Sequence, residues 1–170
     1  LKLDVKLFVE RRLGDPQLKI SIDDYQTLYE GAAQDNHSFD FLVSPGPHTL
    51  KICHYGKQVT DHAYDEVGNI AIDKHVLIQE IAFDNIQLRS ELWDGKFYPV
   101  YWAHDSGPSC IKPNLYLGYN GTWSLNFVVP TTDWLIQRRK SGPQLERTIF
   151  KSNQEILKEA KDFFRDLPDV

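Results

Sequence analysis

Cysteine is scarce: Cys53 and Cys110 are the only two in 170 residues. That scarcity excludes a disulfide-stapled scaffold, and the lack of metal-ligand spacing around them excludes a cysteine-based zinc site. Both thiols are expected to be reduced and buried. Long apolar runs are missing too. No stretch approaches the ~18 residues of a membrane-spanning helix, and the opening LKLDVKLFVE alternates where a secretory leader would be continuously apolar. A soluble chain without a membrane partner is the expectation. A basic excess is also lacking. The formal net charge of −5 gives no pull toward nucleic acid or an anionic bilayer.

Reactive constellations are absent as well. The six histidines, His37, His48, His54, His62, His75 and His104, form no HxH, HExxH or Cys/His pattern. Each is expected to be a surface or hydrogen-bonded residue. No serine sits in a nucleophile elbow. Asp23-Asp24 and Asp65-Glu66 are adjacent, so in a strand their side chains would point to opposite faces, which is wrong for a shared acid and base. The chain is read as non-enzymatic.

What the chain does have is alternation. Leu1, Leu3, Val5, Leu7 and Val9 make one face of a first strand; Leu18, Ile20 and Ile22 make that of a second, with YQTLYEG returning as its hairpin partner. Phe39, Phe41 and Val43 follow, then Leu50, Ile52 and His54 after the break Ser44-Pro45-Gly46-Pro47. In NIAIDKHVLIQEIAFDNIQL, Val76, Ile78, Glu80 and Ala82 oppose Leu77, Gln79, Ile81 and Phe83. Apolar residues on both sides suggest a strand buried between layers. Short strands at spacings of about 8–12 residues, all compatible with antiparallel pairing, predict an all-β sandwich of jelly-roll type over residues 1–130.

Within it, residues 89–113 break the rhythm with Trp93, Phe97, Tyr98, Tyr101 and Trp102, and residues 114–130 read as a hairpin. A three-residue loop, Tyr119-Asn120-Gly121, with Gly121 as a left-handed bulge, would pair Leu117 with Trp123 and Leu115 with Leu125, giving one wholly apolar face. Trp123 is thus expected in the core. Residues 131–170 are read as a short basic linker and a helical arm. Ser152 and Glu155 form a capping box ahead of Ile156, Ala160, Phe163, Phe164 and Leu167 at helical spacing. An isolated helix of that length is marginal in water, so the stripe is expected to dock on something. From Leu1 to Asp133 there are 11 basic and 18 acidic residues, against 8 and 6 from Trp134 to Val170. An acidic body therefore carries a mildly basic tail.

Two resemblances extend this reading. Asp61, Asp65, Glu66, Asn69 and Asp73 gather in the loop before the strand IAIDKHVLIQEIAFDNIQL. That strand, with Asp73 at its acidic position and Val76, Leu77 and Ile81 at its apolar ones, resembles the C-terminal strand of calcium-dependent xylan-binding modules, small jelly rolls. The likeness covers residues 1–88. It implies polysaccharide as a partner; the acidic cluster itself offers Asp61, Asp65, Glu66 and Asp73 to Ca2+, a cation that needs only several oxygen ligands from loops. LWDGKFYPVYW and YLGYNGTWSLNFVVPTTDWL resemble the ends of uncharacterised proteins of large tailed bacteriophages. This implies a virion component of tail, baseplate or capsid decoration, assembled in the host cytoplasm. Its partners would be other virion subunits in a homo- or hetero-oligomer, contacted through the aromatic segment and the arm. The leading expectation is this structural or adhesion role; the alternative is a carbohydrate-binding module using Trp93, Tyr98, Tyr101 or Trp102. Exposure of the aromatic faces separates them, since a sugar needs an open ring and assembly buries it.

Overall fold

The computed structural model describes residues 1–141 apart from 68 and 104. Residues Leu1–Trp134 form one compact unit, and the chain from Leu135 onward forms a second. The first is an antiparallel β-sandwich of jelly-roll type. One sheet orders β11 (Tyr116–Leu117), β8 (Val76–Phe83), β1 (Lys2–Val9) and β4 (Asn36–Asp40), with β9 (Ile86–Gln87) also paired to β8. The other orders β10 (Lys96–Val100), β12 (Asn120–Val129), β5 (Gly46–Tyr55), β2 (Gln17–Ile22) and β3 (Gln26–Ala32). A small ribbon, β6 (His62–Tyr64) with β7 (Ile70–Asp73), stands between β5 and β8. Apart from the β2–β3 and β8–β9 hairpins and this ribbon, each connection carries the chain to another sheet.

The alternation seen in the sequence sets the inner faces. Leu3, Val5, Leu7 and Val9 of β1 are buried opposite Leu18, Ile20 and Ile22 of β2 and Leu50, Ile52 and His54 of β5. The longest ladder joins β12 to β5, from Gly121 opposite His54 to Val129 opposite Gly46. It carries Trp123, Leu125 and Phe127 inward, and Phe127 meets Phe83 of the other sheet with ring centroids 4.6 Å apart.

Three expectations are corrected here. The double-sided apolar pattern of β8 does not mark a strand buried on both sides. Lys6 pairs with Glu80 and Leu7 with Ile78, so Gln79 is an extra, exposed residue, a β-bulge. Val76 and Ile78 before it, and Ile81 and Phe83 after it, all reach the same core. The hairpin at 114–130 does not form either. Leu117 pairs with Val76 in one sheet while Trp123 pairs with Ile52 and Phe97 in the other. Alternation had identified which side of each segment faces inward, but the chain crosses layers where a reversal was expected. Gly121 is required for another reason: at φ 153° it lies against β10, where a Cβ would fall 2.4 Å from the Tyr98 carbonyl oxygen. The basic connector after Pro130 is helical, as α1 (Thr131–Ser141), with Asp133 in its first turn and Arg138, Arg139 and Lys140 in its last, an arrangement that complements the helix dipole.

Trp123 is fully buried, and its indole Nε1 donates to the Asn114 carbonyl at 2.8 Å, which removes the cost of burying that N–H. Gly95 makes room for the ring, because a Cβ there would lie 2.2 Å from Cζ2. Trp123 therefore builds the core and offers no platform. Cys53 and Cys110 are free thiols, but both are half-buried where full burial was expected.

Candidate functional site

After β5 the chain turns at Gly56, whose φ of 75° suits glycine, and sends Lys57 back inward. Lys57 is 3% exposed. An ammonium so far from water needs partners, and it has them: it donates to the Asp73 carboxylate and to the Gly118 carbonyl, and lies 5.7 Å from the centre of the Trp102 ring. The Lys57 main chain is clamped by Asn120, whose Oδ1 accepts from the Lys57 amide at 2.9 Å and whose Nδ2 donates to its carbonyl at 2.8 Å. The second oxygen of Asp73 accepts from the Tyr116 hydroxyl at 2.7 Å. From below, His54 Nδ1 bonds the Tyr119 carbonyl at 3.0 Å. Three segments far apart in sequence are thus tied around one buried cation.

Above this floor opens a cleft of about 440 Å³. Its walls are rings: Trp102 and Tyr119 at 5.2 Å between centroids, and His62 6.0 Å from Trp102 and 5.0 Å, edge-on, from Tyr64. Tyr101 supports Tyr119 at 5.0 Å, also edge-on, and its hydroxyl donates to the Pro108 carbonyl. Tyr116 closes one side, Val59 and Ile70 supply aliphatic surface, and Asp73 and Asp105 supply carboxylates. Burial raises the Tyr116 phenol, and its bond to Asp73 adds to the effect. Burial also raises the Tyr119 phenol, with the Asp105 charge second. Both hydroxyls stay protonated, and since the Tyr116 proton is given to Asp73, its oxygen faces the cleft as an acceptor. A cleft of half-open rings beside fixed acceptors and donors matches the chemistry of a small polar ligand with apolar faces.

Trp102 lines this cleft and Tyr101 braces it, whereas the other aromatic candidates lie elsewhere. Phe97 is a core residue, 1% exposed and paired with Trp123 and Ile111, so it cannot contact a ligand or partner. Tyr98 is half-exposed on β10, and Trp93 is exposed in the 3₁₀ turn Ser90–Asp94. The acidic loop does not converge on an ion. Asp61 is paired with Lys74 at 2.8 Å and accepts from the Gln58 amide. Burial works to raise the Asp61 carboxyl, yet those two bonds hold it below its ordinary value. Asp65 accepts from the Val67 and Asn69 amides, Glu66 is exposed, and Asp73 is engaged with Lys57. Among the described residues no three His, Cys, Asp or Glu side chains assemble as a metal-ligating group, so the loop does not fit the calcium set expected of it. The arm residues Ile156, Ala160, Phe163, Phe164 and Leu167 lie outside the described residues.

Lys57, His62, Tyr64, Asp105, Tyr116 and Tyr119 were not singled out by sequence reasoning. No signal marks Lys57, since a lysine after a Gly turn reads as solvated. Tyr116 and Tyr119 continue the aromatic density of the 89–113 segment and could have been joined to it. Of the histidines, His48 bonds Asp23 and the Ser44 carbonyl and His54 bonds the Tyr119 carbonyl through Nδ1, while Nε2 of the buried His37 and His54 has no hydrogen-bond partner among the described residues.

No family model matches the chain, and no curated protein matches it. Among solved structures it is similar to vCBM60 in complex with galactobiose, at a TM-score of 0.47 and 13% identity, over 74% of this chain and 99% of that one.

Proposed function

We propose that this chain is a non-catalytic carbohydrate-binding module whose site is the Trp102–Tyr119 cleft. The observation that carries the reading is the solvent-open ring surface of Trp102, Tyr119, Tyr116 and Tyr64 set beside Asp73, Asp105 and two protonated phenols. Sugar rings present apolar C–H faces that stack on aromatic surface, and their hydroxyls both donate and accept. The cleft volume, about 440 Å³, lies within the usual range for small-ligand sites. The buried Lys57 acts as a fixed post that holds three loops in register, so the rings are set before a ligand arrives.

The test is a titration of purified protein with a panel of oligosaccharides, read by calorimetry and tryptophan fluorescence. Trp102→Ala is expected to weaken binding by about 2 kcal/mol, roughly thirtyfold. Trp93→Ala, outside the cleft, is expected to change nothing. Binding by no oligosaccharide, or equal losses in both variants, rules the reading out.

A second reading, a structural or adhesion role in a phage virion, draws on Trp93, Tyr98 and Val100, which are 56%, 42% and 63% exposed on and before β10. Tyr98 and Val100 share the outward face of β10, and exposed apolar side chains that lie together suit a surface completed by neighbours. That reading expects self-association or co-assembly that Tyr98→Ser disrupts while sugar binding is retained.

A further inference from the structure

Resting on the sugar-binding reading, we infer that the ligand is a linear polysaccharide held along its length, which leaves the cleft at Tyr116 and crosses the outer face of the first sheet over His75 and Phe8. Tyr116 belongs to both places. It lines the cleft, and it is also the β11 residue that points away from the core, 43% exposed. Strand register continues the row. Tyr116 pairs with Leu77 of β8, and Leu77 pairs with Phe8 of β1, so the three side chains stand abreast on one face of adjacent strands. Phe8 is 46% exposed, although its neighbours on that face of β1, Asp4 and Lys6, are charged. His75 fills the space between the outer two rings, 4.8 Å from Tyr116 and 5.9 Å from Phe8 between centroids, and a 2.9 Å bond between its Nδ1 and the Asp73 carbonyl holds it there.

A contiguous row of rings on the wet side of a sheet offers the apolar surface on which sugar C–H faces stack. Neighbouring strands lie about 4.8 Å apart, so Phe8 and Tyr116 are separated by roughly 10 Å, farther than one sugar ring reaches. Past Phe8 the face becomes polar. Asp4, Lys6, Asn36, Ser38 and Glu80 line a groove of about 300 Å³, in which Lys6 bonds Glu80 at 3.2 Å and the Ser38 hydroxyl donates to Asp4 at 2.6 Å. The rings therefore join two hollows, and ring faces followed by hydroxyl-bonding groups match the two kinds of surface that a sugar chain presents. A ligand recognised only by its terminal sugar would have no use for this continuation.

The experiment measures by calorimetry how the full chain binds β-1,4-linked oligomers of xylose, glucose and galactose, each from two to six units. In a series that binds, the hexamer is expected to bind about tenfold tighter than the trimer. Phe8→Ala, outside the cleft, should remove that gain and leave the trimer within about twofold, and Phe8→Trp should preserve the gain. Trp102→Ala should weaken trimer and hexamer alike. Equal affinity for trimer and hexamer, a gain that survives Phe8→Ala, or an equal loss for both oligomers in that variant overturns the inference and leaves sugar binding in the cleft intact. Self-association that Phe8→Ala abolishes, without any dependence on oligomer length, assigns the row to a second copy of the chain and overturns it too. No binding by any oligomer overturns both readings.

Discussion

Removal of the Lys57 ammonium is the sharpest test of how the cleft is held. The Lys57 and Asp73 side chains are 2% and 15% exposed, so their attraction is little screened by water. Lys57→Met keeps the apolar stem but leaves the Gly118 carbonyl without its bond and Asp73 with only the Tyr116 hydroxyl. Breaking a buried pair from one side costs about 3–5 kcal/mol. The remaining Tyr116 bond and partial solvent access of Asp73 put Lys57→Met near the low end, about 3 kcal/mol. Asp73→Asn leaves a more deeply buried ammonium with a carbonyl and a ring face, and is expected to cost about 4 kcal/mol. The double variant has no uncompensated charge, so its loss should fall well short of the sum, at about 2 kcal/mol. Urea unfolding at pH 7 followed by tryptophan emission gives all three values from midpoint and slope. A loss below 1 kcal/mol in either single variant, or a double variant that loses the full sum, refutes the picture of a buried, mutually dependent pair.

Three further outcomes follow from side chains outside the cleft or beneath it. Burial pushes His54 down to about 4 from an unfolded value near 6.5, so the unfolded chain takes up a proton that the native one refuses. Stability should fall by about 3 kcal/mol as pH drops from 6.5 to 4, and His54→Leu should flatten that arm of a pH series of urea melts. His48 shifts the other way, raised by its bond to Asp23. Its contribution is full below pH 6.5 and is lost as pH rises through its folded value, a trend that Asp23→Asn should abolish in thermal melts. Gly95→Ala pushes a methyl into the Trp123 ring and is expected to cost about 2 kcal/mol, with altered near-ultraviolet circular dichroism.

Much of the sandwich is legible in the chain because period-two alternation reports directly on which side chains enter a core. β1, β2 and β5 show this: each residue assigned to their inner faces is buried or nearly so. Neighbour relations are not legible in the same way. Leu117 and Trp123 lie six positions apart with matching polarity, and nothing local distinguishes a hairpin from a crossing between layers. The bulge at Gln79 escaped for a related reason, since an extra residue makes one-sided burial look two-sided. Of the cleft, the aromatic density pointed to Trp102 and Tyr101, but Phe97 sat in the same run and is core. Lys57 could not be read at all, because its burial depends on Asp73, Gly118 and Trp102 arriving from three separate loops.

The bulge in β8 has an engineering consequence. If Gln79 were deleted, Val76, Ile78, Ile81 and Phe83 would fall into unbroken alternation, and Leu7 and Lys6 would face consecutive partners. The central strand thus contains one step, Gln79-Glu80, where the polypeptide can be shortened by either residue without turning any greasy side chain outward. Elsewhere in the same strand, loss of a single residue would invert everything beyond it, so tolerance to deletion should peak sharply at those two codons.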